Sequence, residues 1–393
     1  MFEVRSEGGP WPRYSSLVPA QPTSVSPAPF ATPEGFLRSA PERTADLAWT
    51  GQEWLAAREP LGDRLDAAEV ARLRPLHALT VRWPSREVPA HLVTALAAAG
   101  VPLHAAASPD WVEPGLARLL AAWTPEEGDG GLRSVVGLRR EEHSVRLRRH
   151  GLRAAIGRAC AVTPTVSVVM SSMRPHLLGS ALTQIARQRR VEVEVLLGLH
   201  GVSADHPEVR RAVGESGLPI TVVEADVAVP FGDVLNLAAS KAGGAYVAKW
   251  DDDDWYGPEH LADLLLARSY AGADIVGVAA EFFYLEPLNV TIRRTDYASE
   301  VWSDHVAGGT ILVDRPRFAD LGGFPGLPRG VDAGFLKAAH AAGARVYRTH
   351  GLGYVLRRTV STEHTWRLPL AHFLRVASNQ WHGFRPSLIL EVP

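Results

Sequence analysis

The chain predicts an α/β fold: a doubly wound, mixed but mostly parallel sheet, with a smaller α/β region ahead of it. Three observations carry that prediction. Apolar strands alternate with amphipathic helices from Val166 onward, the apolar segment Tyr246–Trp250 ends in four consecutive aspartates, and a candidate hairpin, Glu281–Arg294, comes only after that alternation. Strands separated by helices cannot pair as hairpins, so they line up in parallel.

The 393 residues can hold two or three domains, and 46% hydrophobic with 21% charged residues is the balance of a globular protein. The 41 Lys and Arg nearly cancel the 43 Asp and Glu, leaving a net charge of -2. That balance argues against a nucleic-acid partner. Lysine occurs only at Lys241, Lys249 and Lys337, and the surplus of arginine reads as coding bias. Cys160, the only cysteine, excludes an intrachain disulfide and a cysteine-based metal cluster, and suits a cytoplasmic setting. The N-terminal residues lack the apolar core of a signal peptide, and no window of about 18–20 residues is free of charge and proline. A chain that is neither exported by an evident signal nor membrane-spanning is expected.

Residues 1–45 are rich in Pro, Ser and Gly and read as a mobile tail. Residues 65–160 form the smaller region. Ala78–Trp83 and Val101–Ala106 read as strands around the Ala/Leu helix Val88–Ala99, a parallel βαβ unit followed by a helix at Glu113–Trp123. Leu132–Leu138 is strand-like, and Arg139–Ala159 is a charged linker helix whose interleaved Arg and Glu read as a solvated face.

The main domain spans residues 163–366. Val166–Met170 is a buried-type strand, and Leu178, Leu182, Ile185 and Ala186 mark a helix face. Val193–Leu199 and Ile220–Glu224 are further strands, Val234–Ser240 is a short helix, and Tyr246–Trp250 is the strand before the aspartates. A helix at Pro258–Tyr270, a strand at Asp274–Val278 and the hairpin add antiparallel pieces to the sheet. Residues 367–393 read as a docked tail. Its aromatics and arginines leave peripheral membrane contact open as a second reading.

The strongest local feature is KWDDDDWYGPEHL, Lys249–Leu261. Four adjacent carboxylates repel one another unless a cation or full solvation accompanies them. Their place between an apolar strand and Pro258 puts them at the carboxyl end of the sheet, where open α/β sheets bind ligands. Hard oxygen donors in a short loop suit Mg²⁺ or Mn²⁺ holding phosphates. A divalent cation is the simpler answer, and an exposed acidic turn with no ion is the alternative reading of the same residues. Lys249 shares a strand face with Asp251, so it can pair with the aspartates or reach a phosphate.

With these motifs the chain resembles the family 2 glycosyltransferases of the GT-A fold. The resemblance rests on Val166-Ser-Val-Val-Met170, on Asn236–Trp255 (NLAASKAGGAYVAKWDDDDW), on Gly308-Gly-Thr-Ile-Leu-Val313, on Gly322-Gly-Phe324 and on Val331-Asp332, in the family's order. It implies a GT-A-like sheet and transfer of a sugar from a nucleotide-sugar donor to a hydroxyl acceptor, either a sugar, a natural product or a cell-surface polymer. It further implies Asp251 and Asp253 on a Mn²⁺ or Mg²⁺ that bridges the diphosphate. Asp252, Lys249, Ser171, Arg174, Asn236 and Gly309 would lie along the nucleotide sugar. Asp332 matches the aspartate that acts as base in inverting members, although Val331 replaces the usual Glu before it. An Asp near a helix start is equally an ordinary N-terminal residue. His364, in Glu363-His-Thr-Trp366, would close the metal site from a distance, with His350 as the competing histidine; Arg357 and Arg358 could bind the diphosphate or acceptor. Leu197-Gly-Leu-His-Gly201 departs from the acidic residue expected near the nucleotide base.

Two other functions compete with sugar transfer. A sugar-1-phosphate nucleotidyltransferase would need a Gly-rich loop after the first strand, and Ser171–Pro175 has no glycine. An inactive carbohydrate-binding or scaffolding module would be expected to lose the aspartates, and all four are retained.

Overall fold

The computed structural model describes residues 44–125, 135–156, 163–359 and 368–391. The expected tail, Cys160, Glu363 and His364 lie outside those residues, except that residues 44 and 45 open a strand.

The first unit contains β1 (Thr44–Trp49), β2 (Trp54–Ala56), β3 (Glu59–Pro60), α1 (Ala67–Leu73), β4 (Ala78–Arg82), α2 (His91–Ala98), β5 (Leu103–His104) and α3 (Pro114–Ala121). Its sheet runs β3-β2-β1-β4-β5, with β1, β4 and β5 parallel. Asp66 and Glu69 close a reciprocal capping box that starts α1. The βαβ unit appears as expected, but β1 to β3 and α1 extend it.

Helix α4 (Val135–Ile156) follows. The strand expected at Leu132–Leu138 is instead its first turn from residue 135 onward. The solvated-face reading is also overturned: Arg140, Glu141, Glu142, His143, Ser144, Arg148 and Arg149 are all buried. Arg140 donates to the carbonyls of Arg74, Leu76 and His77 just past α1, at 2.7 to 3.0 Å. Periodicity read this helix against water, whereas its polar stripe lies between two folded units, where buried charges persist because each is paired.

His143 sits in that seam, with Nε2 2.6 Å from the Leu103 carbonyl and its ring stacked on Trp123. Burial pushes its pKa down to about 4, with Arg146 and His104 adding and the Leu103 carbonyl opposing. Burial likewise takes His260 to about 3. Both folded values lie below the unfolded one, so the stability they confer is complete above about pH 6.5 and is lost as pH falls towards 4. Each contributes a slope of up to about 1.4 kcal/mol per pH unit. Urea unfolding between pH 7 and 4.5 should show this decline, and His143→Gln should flatten it; an equal slope in the variant would refute the assignment.

The main unit runs through β6 (Thr165–Ser172), α5 (Pro175–Ala186), β7 (Glu192–His200), α6 (Pro207–Glu215), β8 (Ile220–Ala225), α7 (Phe231–Ala239), β9 (Tyr246–Trp250), β10 (Trp255–Tyr256) and α8 (His260–Ala271). It continues with β11 (Ile275–Val278), β12 (Phe282–Leu285), β13 (Val290–Arg293), β14 (Val301–Trp302), β15 (Leu312–Asp314), α9 (Arg315–Asp320), α10 (Val331–Ala341), β16 (Val346–Thr349) and β17 (Tyr354–Arg358). The eight-stranded sheet is ordered β14-β16-β11-β15-β9-β6-β7-β8. Strands β9, β6, β7 and β8 are parallel, while β15 runs antiparallel between β9 and β11. This is the mixed, mostly parallel sheet that the sequence predicts.

Strand β6 reads as continuously apolar because both its faces are covered. Val166, Val168 and Met170 pack with Leu178 and Leu182 of α5, and Val169 packs with Leu235 of α7 and the α10 side of the sheet.

The hairpin β12–β13 forms as expected but does not extend the main sheet. It enters a second sheet, β10-β17-β12-β13-β18, in which β18 (Asn379–His382) pairs antiparallel with β13. Helix α11 (Leu370–Val376) buries Phe373 against Phe283 beside it. Among the described residues no helix is long and apolar enough to cross a membrane.

Candidate active site

The site forms where β9 ends. Lys249 lies on that strand and is 2% exposed, yet its Nζ stands 2.5 Å from Asp251 Oδ1 and 3.2 Å from Asp332 Oδ1. Burial opposes the charged ammonium, but Asp251 and Asp332 outweigh it and push the pKa up. Asp332 is in the first turn of α10, whose N-cap is Gly330 in the left-handed region. The cap position therefore lies elsewhere, and the Asp332 carboxylate turns to the lysine.

Two glycines make this approach close. A Cβ on Gly308 would fall 2.1 Å from Asp332 Oδ2, and one on Gly309 would fall 2.6 Å from Asp251 Oδ2. The Gly308-Gly309 backbone is thus wedged between the two carboxylates, and any side chain there would displace them. Tyr256 completes the frame: the Asp251 amide donates to its Oη at 3.0 Å, and that hydroxyl donates to the Gly309 carbonyl at 2.9 Å.

The four aspartates divide by environment. Asp252 and Asp254 are buried, whereas the side chains of Asp251 and Asp253 keep 32% and 14% of their surface open. Asp252 accepts from Ser172 Oγ at 2.5 Å and pairs with Arg174, which also donates to Asp253 Oδ2 at 2.8 Å. Burial, with Asp253 adding, raises the Asp252 carboxyl to about 6 despite Arg174. Asp254 accepts from Tyr354 Oη at 2.5 Å and from the Arg357 amide at 3.0 Å. Burial first, then Asp253 and Asp251, hold its carboxyl well above the usual range. Asp251 is also raised, by burial and by Asp332 and Asp253, against the pull of Lys249.

The donor set fits a hard divalent cation. Five carboxylates meet two contacting cations, Lys249 and Arg174, and burial first, with the neighbouring carboxylates adding, already raises three of the carboxyls. Among the described residues no three His, Cys, Asp or Glu side chains converge on one point. A Mg²⁺- or Mn²⁺-type site needs only one or two carboxylates when phosphate oxygens and water supply the rest.

Other candidates fall elsewhere. Ser171 pairs in register with Gly198 and points away from Ser172 across the pleat, leaving Ser172 to meet the aspartates. The Asn236 side chain is spent on Phe324, donating to its carbonyl at 2.7 Å and accepting from its amide at 2.9 Å. His350 lies against Asp263 of α8, 3.4 Å away, rather than against the acidic run. Arg357 pairs with Glu286 at 2.7 Å, and Arg358 lies over Phe373 and donates to Leu368.

The sequence reading missed Ser172, Tyr256, Tyr354 and Gly308. Gly308 carried a signal, the glycine pair; the tyrosines carried none, since a buried aromatic looks the same whether or not its hydroxyl supports an aspartate.

No family model matches this chain, and no curated protein matches it. Among solved structures it is similar to TarS of S. aureus, residues 1–349, in complex with UDP-GlcNAc, with 16% identity and a TM-score of 0.41, over 54% of this chain and 64% of that one. It is similar also to the mannosyltransferase PcManGT of Pyrobaculum calidifontis in complex with GDP-Man and Mn²⁺, with 22% identity and a TM-score of 0.41, over 55% of this chain and 63% of that one. The chain spans less than two thirds of the length of either.

Proposed function

We propose that this chain is a family 2-like, inverting glycosyltransferase that moves a sugar from a nucleotide-sugar donor to a hydroxyl acceptor. The observation that carries the reading is the convergence of Asp332 and Asp251, from α10 and the end of β9, on one buried lysine across a glycine-only gap. A carboxylate on a buried lysine, beside a second, partly open acidic group, offers what direct displacement requires, a proton acceptor next to a place for a charged leaving group.

Asp251 and Asp253 would hold a divalent cation with the donor diphosphate. Such a cation supplies Lewis-acid stabilisation of the charge that grows on the departing phosphate oxygens. Arg174 neutralises Asp252 and Asp253 and fixes their loop. Asp332 accepts the proton of the acceptor hydroxyl; the acceptor oxygen forms its bond to the anomeric carbon as the bond from that carbon to the phosphate oxygen breaks. The electron pair of the broken bond leaves with the nucleoside diphosphate, and the anomeric configuration inverts. Lys249 holds the Asp332 carboxylate in place beside Gly308.

Calorimetric titration with UDP, GDP and dTDP, each with and without Mn²⁺, tests the donor half of this reading. Metal-dependent binding of one nucleotide is expected, with a loss of at least about tenfold in affinity in Asp251→Asn/Asp253→Asn. A folded protein that binds none of the three with metal would return the chain to the scaffolding alternative.

A further inference from the structure

The segment joining β13 to the Gly308-Gly309 wedge, residues 294–307, carries an unusual anchor. Glu300 is 3% exposed and holds a left-handed backbone, φ +58°, which a non-glycine residue adopts only under constraint. Its carboxylate accepts from Tyr270 Oη at 2.5 Å, Tyr347 Oη at 2.8 Å and Thr349 Oγ1 at 2.9 Å. The charge opposite it comes from outside the main unit: Arg148 of α4 stands 3.2 Å away and stacks over the Tyr270 ring.

From that anchor the chain runs directly to the site. Arg348 of β16 holds the same segment through the Ala298 carbonyl, Ser303 Oγ and the His305 carbonyl. Val306 packs onto Gly277, where a Cβ would fall 2.5 Å from it, and the Ala307 amide donates to the Val278 carbonyl at 3.0 Å. The next two residues are the glycines between Asp332 and Asp251. The spacing of the two carboxylates therefore depends on where residues 300–307 are set down, and one of their buried anchors belongs to the helix that leads in from the N-terminal unit.

We propose that Arg148 is a positioning residue for the site, acting through Glu300 to hold residues 300–309 in the shape that separates Asp332 from Asp251. The N-terminal unit is then a working part of the catalytic domain and not an appended module. The inference rests on the transferase reading for its kinetic consequence, but its structural consequence can be measured without any activity.

The neighbouring Arg149 supplies the control. It is as buried as Arg148 and lies on the same helix, but its guanidinium forms two bonds to Asp263 of α8, at 2.7 and 2.6 Å, and none of its hydrogen bonds goes to residues 294–309. Hydrogen–deuterium exchange of the full chain should show amides of residues 300–310 opening at least about tenfold faster in Arg148→Met than in wild type, with no such change in Arg149→Met. Glu300→Gln should reproduce the pattern, and Arg148→Lys, which keeps a charge opposite Glu300, should restore part of the protection. In turnover of the donor identified by calorimetry, kcat/KM should fall in Arg148→Met and stay within about twofold of wild type in Arg149→Met. Equal exchange in the two methionine variants, or unchanged exchange in Arg148→Met, overturns the proposal. If wild type turns over no nucleotide sugar, the transferase reading fails while the exchange result still decides the positioning role.

Discussion

On the proposed transferase reading, replacing Asp332 by Asn is expected to cut sugar transfer by about 10²- to 10⁴-fold, the usual worth of a positioned general base. The amide has the shape of the carboxylate but takes no proton at neutral pH. Because Asp332 enters from α10 while the diphosphate is assigned to Asp251 and Asp253, nucleotide affinity should stay within about twofold of wild type. Lys249 keeps Asp251 as its partner at 2.5 Å, so the variant should remain folded. The measurement is single-turnover transfer alongside calorimetry of the nucleotide. A variant that retains most of its transfer rate would remove Asp332 from the chemistry and leave it as a partner of Lys249.

Lys249→Met should have the largest effect on stability. The side chain is fully enclosed and its ammonium lies between two carboxylates. Removing one partner of a buried ion pair costs about 3–5 kcal/mol. Here Asp251 and Asp332 each keep 32% of their side chains open, so solvent relieves part of that cost and a loss of about 2–4 kcal/mol is expected. Two carboxylates facing each other without the ammonium should also favour protonation of one of them. The folded pKa of Asp251, already raised by burial and then without the pull of Lys249, would exceed the unfolded value, so the variant should regain stability as pH falls from 7 towards 5. Urea unfolding at pH 7 and pH 5 measures both effects; a loss under about 0.5 kcal/mol at pH 7 would mean that Lys249 is not an essential counter-charge.

Much of this fold was legible in the sequence because burial leaves a periodic trace. Val166–Met170, Val193–Leu199 and Tyr246–Trp250 are mostly apolar, interrupted only by Ser167, Glu194 and Lys249, the mark of parallel strands covered on both faces, and all three form the centre of the main sheet. The hairpin was legible too, although its membership of the second sheet was not, since strand pairing across that sheet depends on β17 and β18 far along the chain. Helix α4 was misread for a related reason. A polar stripe looks the same against water as against Glu300, Asp263 and Arg293, and only the arrival of those residues distinguishes the two.

By itself the sequence determined the order of the central strands of the main sheet and the place of four aspartates at the carboxyl end of one of them, because local hydrophobic period and charge suffice for both. It also put Lys249 on the face of Asp251, since the pleat repeats every two residues. Tertiary structure alone decided which aspartates stay open, that Ser172 rather than Ser171 meets them, and that Asp332 closes on Lys249 across Gly308. Those outcomes depend on distances between segments far apart in the chain, and such distances are set by how whole layers pack, which no local pattern of residues records.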